Sequence, residues 1–419
     1  MNKGYPREID ALLNAPSADE RLENLKKIRI RLDRGEFSPR PKGIFVNNHI
    51  HTKFSFSPYS PALAVFKGYM EGLDTVGIID HDTFAGAEEF TEAGKILGIR
   101  TSRGMELRVD YAGTPLEGKI INNPDQKSVA YKLLHGVPLR SGARMKALSG
   151  RIIPARMARN QAMTENLNRI FAPWKIFLDF EREVVGRSYY AQGGTVTERH
   201  LLDALAGKLI ERFGGISAAS AFLSERFGLP PLKRGQNRAA LLGALKAGFV
   251  AEFYEEAGRE LIPVREAVAL GREAGGLSCY SYLGGVKECV TGDKRAQPFE
   301  DAFLPLLFEV IRALGIRSVT YAPSRNSDEQ LRRFQALCAQ YDLFELSGED
   351  INSPDQPLIC PRLAEPAFAR LLADNEVLLC HERAAEGDPA LGFESPAMLK
   401  RFPGTAERAE WFLSRYGTP

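Results

Sequence analysis

Two imidazoles one residue apart, His49 and His51 in Val46-Asn47-Asn48-His49-Ile50-His51-Thr52, carry the clearest chemical signal in this chain. Side chains at i and i+2 of a strand project to one face, so the pair would arrive side by side at a strand end. Neutral imidazole ligates zinc, manganese or iron, so the spacing suits a divalent ion. The chain holds 6 histidines, and a third, His81, lies in Ile79-Asp80-His81-Asp82-Thr83. A lone His-x-His pair is a weak motif, and carboxylates must complete it. Arg103-Gly104-Met105-Glu106-Leu107 places Glu106 two residues after a glycine. Ser347-Gly348-Glu349-Asp350-Ile351-Asn352 places Asp350 and Asn352 two apart, which repeats the histidine geometry. Tyr321-Ala322-Pro323-Ser324-Arg325-Asn326 adds a guanidinium and an amide on a strand-end loop.

Each of these fragments needs a strand to aim it. Leu22, Leu25, Ile28 and Leu32 fall at helical spacing and predict a helix over 18–33. A Pro/Gly/Arg linker follows over 35–43. The pattern then alternates: strand 44–50, helix 61–71, strand 74–80, helix 84–97 stopped by Gly98, and strand 99–109. Val129, Tyr131, Leu133 and His135 alternate onto one face and predict a further strand over 128–135. Strands alternating with helices of this length suggest a parallel sheet, and motifs repeated at strand C-terminal ends suggest a barrel. The rhythm stops over 140–272, where helical periodicity dominates: 155–171, 197–213, 218–227, 238–254 and 263–273. Thr197 reads as a helix cap, with His200 three positions on as a solvated helix residue. Strands return at 276–282, 317–321 and 343–347, with helices 299–314 and 328–340 between them and short helices in the tail. The expected organisation is an N-terminal helical extension and linker (1–43), a first barrel part (44–139), a helical insertion placed to lid the mouth (140–272), a second barrel part (273–360) and a C-terminal helical extension (361–419).

Composition narrows the function. The 419 residues are 44% hydrophobic and 26% charged, with net charge +2, which is ordinary for a globular protein. That balance lacks the basic excess of a protein that grips nucleic acid by charge, so a small-molecule substrate is expected, with a nucleotide still admissible. No apolar run approaches the roughly 20 residues of a membrane span. Five cysteines, Cys279, Cys289, Cys338, Cys360 and Cys380, form no Cys-x-x-Cys pair and read as reduced thiols of a cytoplasmic protein.

Taken in chain order, the fragments resemble the PHP family (polymerase and histidinol phosphatase domain). His-x-His, the Asp-His-Asp turn, Gly-x-Glu and Ser-Gly-x-Asp-x-Asn follow that family's motif order over about 44–136 and 275–360. The resemblance implies an α/β fold, a distorted (β/α)7 barrel with metals at its C-terminal mouth, here with a large helical insertion and extensions at both ends. It also implies activity of the phosphoesterase or nucleotide exonuclease kind, through two or three metals. His49, His51, Glu106 and Asp350 match the family's first metal position, and His81 matches a ligand of its third. The chain departs elsewhere. Asn352 stands where the family has a histidine, and Phe54-Ser55-Phe56-Ser57-Pro58 lacks the expected acid. Ser278-Cys279-Tyr280-Ser281 replaces an Ala-His-Pro strand, and Ala130 or Tyr131 replaces a further histidine.

These departures predict one ion (manganese, zinc or iron) rather than a two-metal clamp. Two neutral imidazoles and two carboxylates balance a divalent charge and leave a place for water, whose pKa would fall from 15.7 towards about 7. His81 is expected to manage a proton, with Asp82 beside it and Asn352 near substrate. Arg325, Lys287 or Lys294 would supply positive charge. His135 could enter only through a register shift, and Cys279 could bind as thiolate. Blander roles stay open at each position: a polar network for the first-position residues, a helix cap for Asp82, a structural amide for Asn352, a surface ion pair for Arg325 and a buried small hydrophobe for Cys279. The leading expectation is a metal-dependent phosphoesterase acting on a small phosphorylated metabolite or nucleotide through a metal-bound hydroxide. The alternatives are a mononuclear hydrolase of C–N or ester bonds, and an inactive barrel that senses a metal or ligand.

Overall fold

The computed structural model describes residues 4–285 and 299–417. Strands β1 (Val46–Ile50), β2 (Thr75–His81) and β3 (Arg100–Asp110) run parallel, joined by helices Pro61–Glu71 and Ala87–Leu97. Both helices end on a left-handed glycine, Gly72 and Gly98, which turns the chain back to the sheet. The next strand, β4 (Val129–His135), is antiparallel to its neighbour β3. This corrects the expectation of an all-parallel sheet. Among the described residues no helix lies between β3 and β4, and a parallel return needs such a crossover.

A two-residue strand, β5 (Ile262–Pro263), pairs beside β3. After it β6 (Leu277–Ser281), β7 (Ser318–Tyr321) and β8 (Phe344–Ser347) complete the order β1-β2-β3-β4-β6-β7-β8. The ends of the order meet: the His51 amide donates to the Ile351 carbonyl (2.8 Å), and the Ile351 amide donates to the His49 carbonyl (3.0 Å). The result is a distorted, nearly closed seven-stranded barrel. Gly348 permits the closure, since a Cβ there would lie 2.5 Å from the Cβ of His49.

The barrel interior is filled by Ile79, Leu133, Leu277, Phe344 and Leu346, continuous with Val377, Leu378 and Phe412 of the tail. The tail contains a 19-residue helix, Ala369–Gly387, rather than short helices. It is buried around most of its circumference, and Asn375 bonds Asn48 (3.0 Å) and Thr75 (3.1 Å) while Glu382 accepts from the Arg103 amide (2.7 Å).

Helices Gly142–Phe171, Glu198–Phe213, Ile216–Phe227 and Arg238–Gly248 pack around a separate core that includes Met163, Leu205, Phe222 and Phe249. A buried ionic network ties this body to the barrel. Glu198 accepts from Arg108 of β3 (3.0 Å) and from Arg159 (2.8 Å), while Arg156 pairs with Asp82 and Arg159 with Glu260. Three guanidiniums thus meet three carboxylates, so each buried charge has an opposite neighbour.

Candidate metal centre

The parallel strands deliver their C-terminal ends to one mouth. His49 projects from β1 and His51 from the residue just beyond it, on the same face. Their Nε2 atoms face each other at 3.2 Å, and His51 Nε2 lies 3.1 Å from Asp350 Oδ1 and 3.7 Å from Glu106 Oε2. His49 Nε2 lies 3.9 Å from the same Asp350 oxygen. His49, His51 and Glu106 each offer a ligand atom within 4.8 Å of the others. The hydrogen bonds that close the barrel hold Asp350 against this trio. Its left-handed backbone (φ 50°), sparsely populated for a non-glycine residue, turns the carboxylate inward.

The donor set suits a divalent cation. Burial pushes His49 down to about 4, so its ring is neutral and offers a lone pair. The His51 tautomer is set from behind. The Ser55 hydroxyl gives its one proton to Asp80 (2.6 Å), so its oxygen accepts from Nδ1–H of His51 at 3.3 Å. That leaves the lone pair of His51 Nε2 in the cluster. Asp80 is fixed in turn by the Thr52 amide (2.7 Å) and hydroxyl (2.6 Å). Such a carboxylate-anchored histidine is the usual partner arrangement of a metal ligand. Burial raises Glu106 and Asp350, but the facing donors outweigh it: His81 and the other imidazoles hold Glu106 down at about 2, and Arg325 with the two histidines holds Asp350 well below the carboxylate range, while the same two carboxylates raise the pKa of His51, so a cation there displaces a proton from it.

The other expected residues fall as follows. His81 places Nδ1 2.8 Å from Glu106 Oε2, and its ring stacks on that of His51 at 4.6 Å. Arg325 donates to Asp350 (3.1 Å) and to the Glu349 carbonyl (2.7 Å), and lines the cleft. Asn352 donates to Asp350 at 3.2 Å. Asp82 is neither in the cluster nor a cap: the helix beginning at Ala87 is capped by no side chain, and Asp82 pairs with Arg156. His135 also lies away from the mouth. Because β4 is antiparallel, its end points to the opposite side of the barrel, and Tyr131 occupies the mouth instead. Cys279, opposite Leu133, sits in the apolar layer beneath, where burial raises its thiol pKa. Lys287 and Lys294 lie outside the described residues.

Sequence reasoning missed the residues that the insertion brings. Arg199 and Lys246 line the same cleft as His49, Glu106 and Asp350, and Lys246 pairs with Asp125 (2.9 Å). His200 is half-buried rather than solvated. Its Nδ1 accepts from the Thr197 amide (3.0 Å), and its ring meets Phe56 edge-on at 4.9 Å. The capping signal at Thr197 was the one trace of this contact in the sequence.

No family profile matches the chain. A curated 5′-3′ exoribonuclease of Haemophilus influenzae is 34% identical over 65 residues, 16% of this chain and 24% of that protein, so the match spans about a quarter of the relative's length. Among solved structures, a Bifidobacterium adolescentis protein assigned as a metal-dependent phosphoesterase superimposes with a TM-score of 0.51 at 20% identity, covering 80% of this chain and 98% of its own. An amidohydrolase of Chromobacterium violaceum, with bound sulfate and no metal, gives 0.50 at 17% identity, covering 78% and 96%. At these identities the likeness is one of fold, and function rests on the site. Among the described residues, no helix is long and apolar enough to cross a membrane.

Proposed function

We propose that the chain is a metal-dependent hydrolase that cleaves a phosphate ester of a small metabolite or nucleotide, using one divalent ion (manganese, zinc or iron) held by His49, His51, Glu106 and Asp350. The observation that carries this reading is the meeting of His49, His51 and Asp350, whose facing atoms lie 3.1–3.9 Å apart, beside Glu106 in one cleft. These four come from three separate parts of the chain. When bound, the ion would supply Lewis-acid activation of water and charge neutralisation at a phosphoryl oxygen.

The chain's own groups do the rest. The imidazole of His81, anchored on Glu106 and 21% exposed at its side chain, takes or gives a proton in the cleft. Arg325, its fork ordered by Asp350 and the Glu349 carbonyl, orients an anionic substrate through a planar set of donors. Asn352 steadies Asp350. The insertion, which contributes Lys246 and Arg199 to the wall, acts as a lid that excludes water and selects the substrate. Asp82 serves this arrangement from outside the cleft, as the barrel's anchor for Arg156.

A panel of phosphate esters, amides and lactones offered with manganese tests the reading. Turnover of phosphate esters is the expected result. Cleavage confined to amides or lactones would make the chain a C–N or ester hydrolase, and silence throughout with metal still bound would make it a sensor.

A further inference from the structure

Ester hydrolysis moves two protons: the attacking water loses one, and the leaving oxygen must gain one. His81 can serve one of these transfers, and the cleft wall holds a second proton-bearing group beside it. Tyr131, on β4, lines the same cleft as His49, His81, Glu106 and Asp350. Its ring meets that of His81 with centroids 5.7 Å apart. The residue is held at both ends. Asn122 grips its backbone, accepting from the Tyr131 amide (2.7 Å) and donating to its carbonyl (2.9 Å). The same side-chain amide donates to the Ser281 carbonyl of β6 (2.6 Å), which ties the grip to the neighbouring strand. At the other end the Tyr131 hydroxyl oxygen accepts from Arg108 Nη2 at 3.0 Å.

Arg108 is 4% exposed and donates from the same nitrogen to Glu198 (3.0 Å), which Arg156 and Arg159 also contact. Its position is therefore set by the network that joins the insertion to the barrel. A guanidinium carries donors and no acceptor, so Arg108 cannot take the hydroxyl proton. It fixes the oxygen and leaves the O–H to a partner on another side. As that proton departs, negative charge grows on an oxygen that already faces a buried cation. A donor set in place beforehand is most effective there.

We propose that Tyr131 is the catalytic acid of the reaction, giving its phenolic proton to the leaving oxygen of the ester, with Arg108 as its positioning residue. This inference rests on the phosphoester reading above. The phosphorus–oxygen bond to the leaving group breaks, and its electron pair stays on that oxygen, which takes the Tyr131 proton. Water supplies the oxygen of the new bond, and its proton passes to His81. The phenolate faces Arg108 until the proton held by His81 returns to it through solvent. The sum is ester plus water giving alcohol plus phosphate, with both groups restored.

The test compares two substrates that differ in their need for that proton. Glycerol phosphate expels an alkoxide, which leaves readily only when protonated, whereas para-nitrophenyl phosphate expels a stable phenolate. Manganese-loaded Tyr131→Phe should lose about 10²- to 10⁴-fold in turnover of glycerol phosphate, with a loss on the nitrophenyl ester smaller by about tenfold or more. Metal content and thermal midpoint, measured alongside, should match the wild type, because Arg108 keeps its bond to Glu198. Equal losses on the two esters, or no loss on glycerol phosphate, overturn the proposal and leave the phosphoester reading standing. If the variant fails to fold or to hold metal, the wild type decides. A steep dependence of its turnover on leaving-group acidity, across substituted phenyl phosphates, overturns the proposal, and a shallow one sustains it. A wild type that holds metal but hydrolyses no phosphate ester removes the phosphoester reading, and the inference falls with it.

Discussion

Replacing Ser55 by alanine isolates the support behind the proposed ligand His51. In the native protein Asp80 accepts from the Ser55 hydroxyl at 2.6 Å, and the Ser55 oxygen accepts from His51 Nδ1 at 3.3 Å. Alanine removes the acceptor and leaves a buried N–H without a partner. Asp80 keeps its two bonds from Thr52, so the fold should lose about 1 to 3 kcal/mol. The ring, however, is no longer held to the tautomer that points its lone pair into the cluster. Loss of such an outer partner typically weakens metal binding about 10- to 100-fold, or roughly 1.4 to 2.7 kcal/mol. Competition against a chelator of known affinity, with manganese or zinc, reads this directly. The number of ions bound at saturation should not change. A folded Ser55→Ala protein with wild-type metal affinity would refute the claim that Ser55 and Asp80 orient His51.

Three further perturbations probe the surroundings. His81→Asn should retain the ion and lower turnover by about 10² to 10⁴, as loss of a proton-transfer group does; loss of the ion would instead make His81 a ligand. Arg156→Met leaves Asp82, 1% exposed, with no described cation partner, and should destabilise the protein by about 3 to 5 kcal/mol in denaturant unfolding; a change below about 0.5 kcal/mol would mean that the network does not tie the insertion to the barrel. Burial pushes Glu300 up to about 7, so the folded state holds a proton that the unfolded chain releases near pH 4.5. Its contribution to stability is therefore complete below that pH and falls as pH rises to about 7. Glu300→Gln should flatten the stability profile by up to about 3 kcal/mol across this window, and an unchanged profile would contradict the assignment.

The first three strands were legible because two helices with clear stop signals, ending at Gly72 and Gly98, separate them. The helices Pro61–Glu71 and Asp328–Gln340 match their sequence reading to the residue, each beginning after a serine that caps it. The direction of β4 was harder, since strand periodicity carries no polarity. The missing helix between β3 and β4 was the usable sign, and overlooking it left the position of His135 open. The Ala369–Gly387 helix was hidden for a different reason: buried around most of its circumference, with Asn375 and Glu382 turned into polar pairs, it shows no amphipathic stripe. Arg156, Arg199 and Lys246 lie in helices whose own pattern reports only their packing within the insertion. Nothing local marks a helix cation as facing a cleft, or a buried carboxylate, built by other parts of the chain. Ser55 likewise gains its meaning from Asp80, 25 residues away.

The most direct measurement is the ion content of protein purified without chelator, with anomalous scattering to locate and identify the metal, on the wild type and on His49→Ala. The account predicts about one divalent ion per chain, lying between His49, His51, Glu106 and Asp350, and none in the variant. Two or three tightly held ions, an ion elsewhere, or an ion that persists in His49→Ala would contradict it.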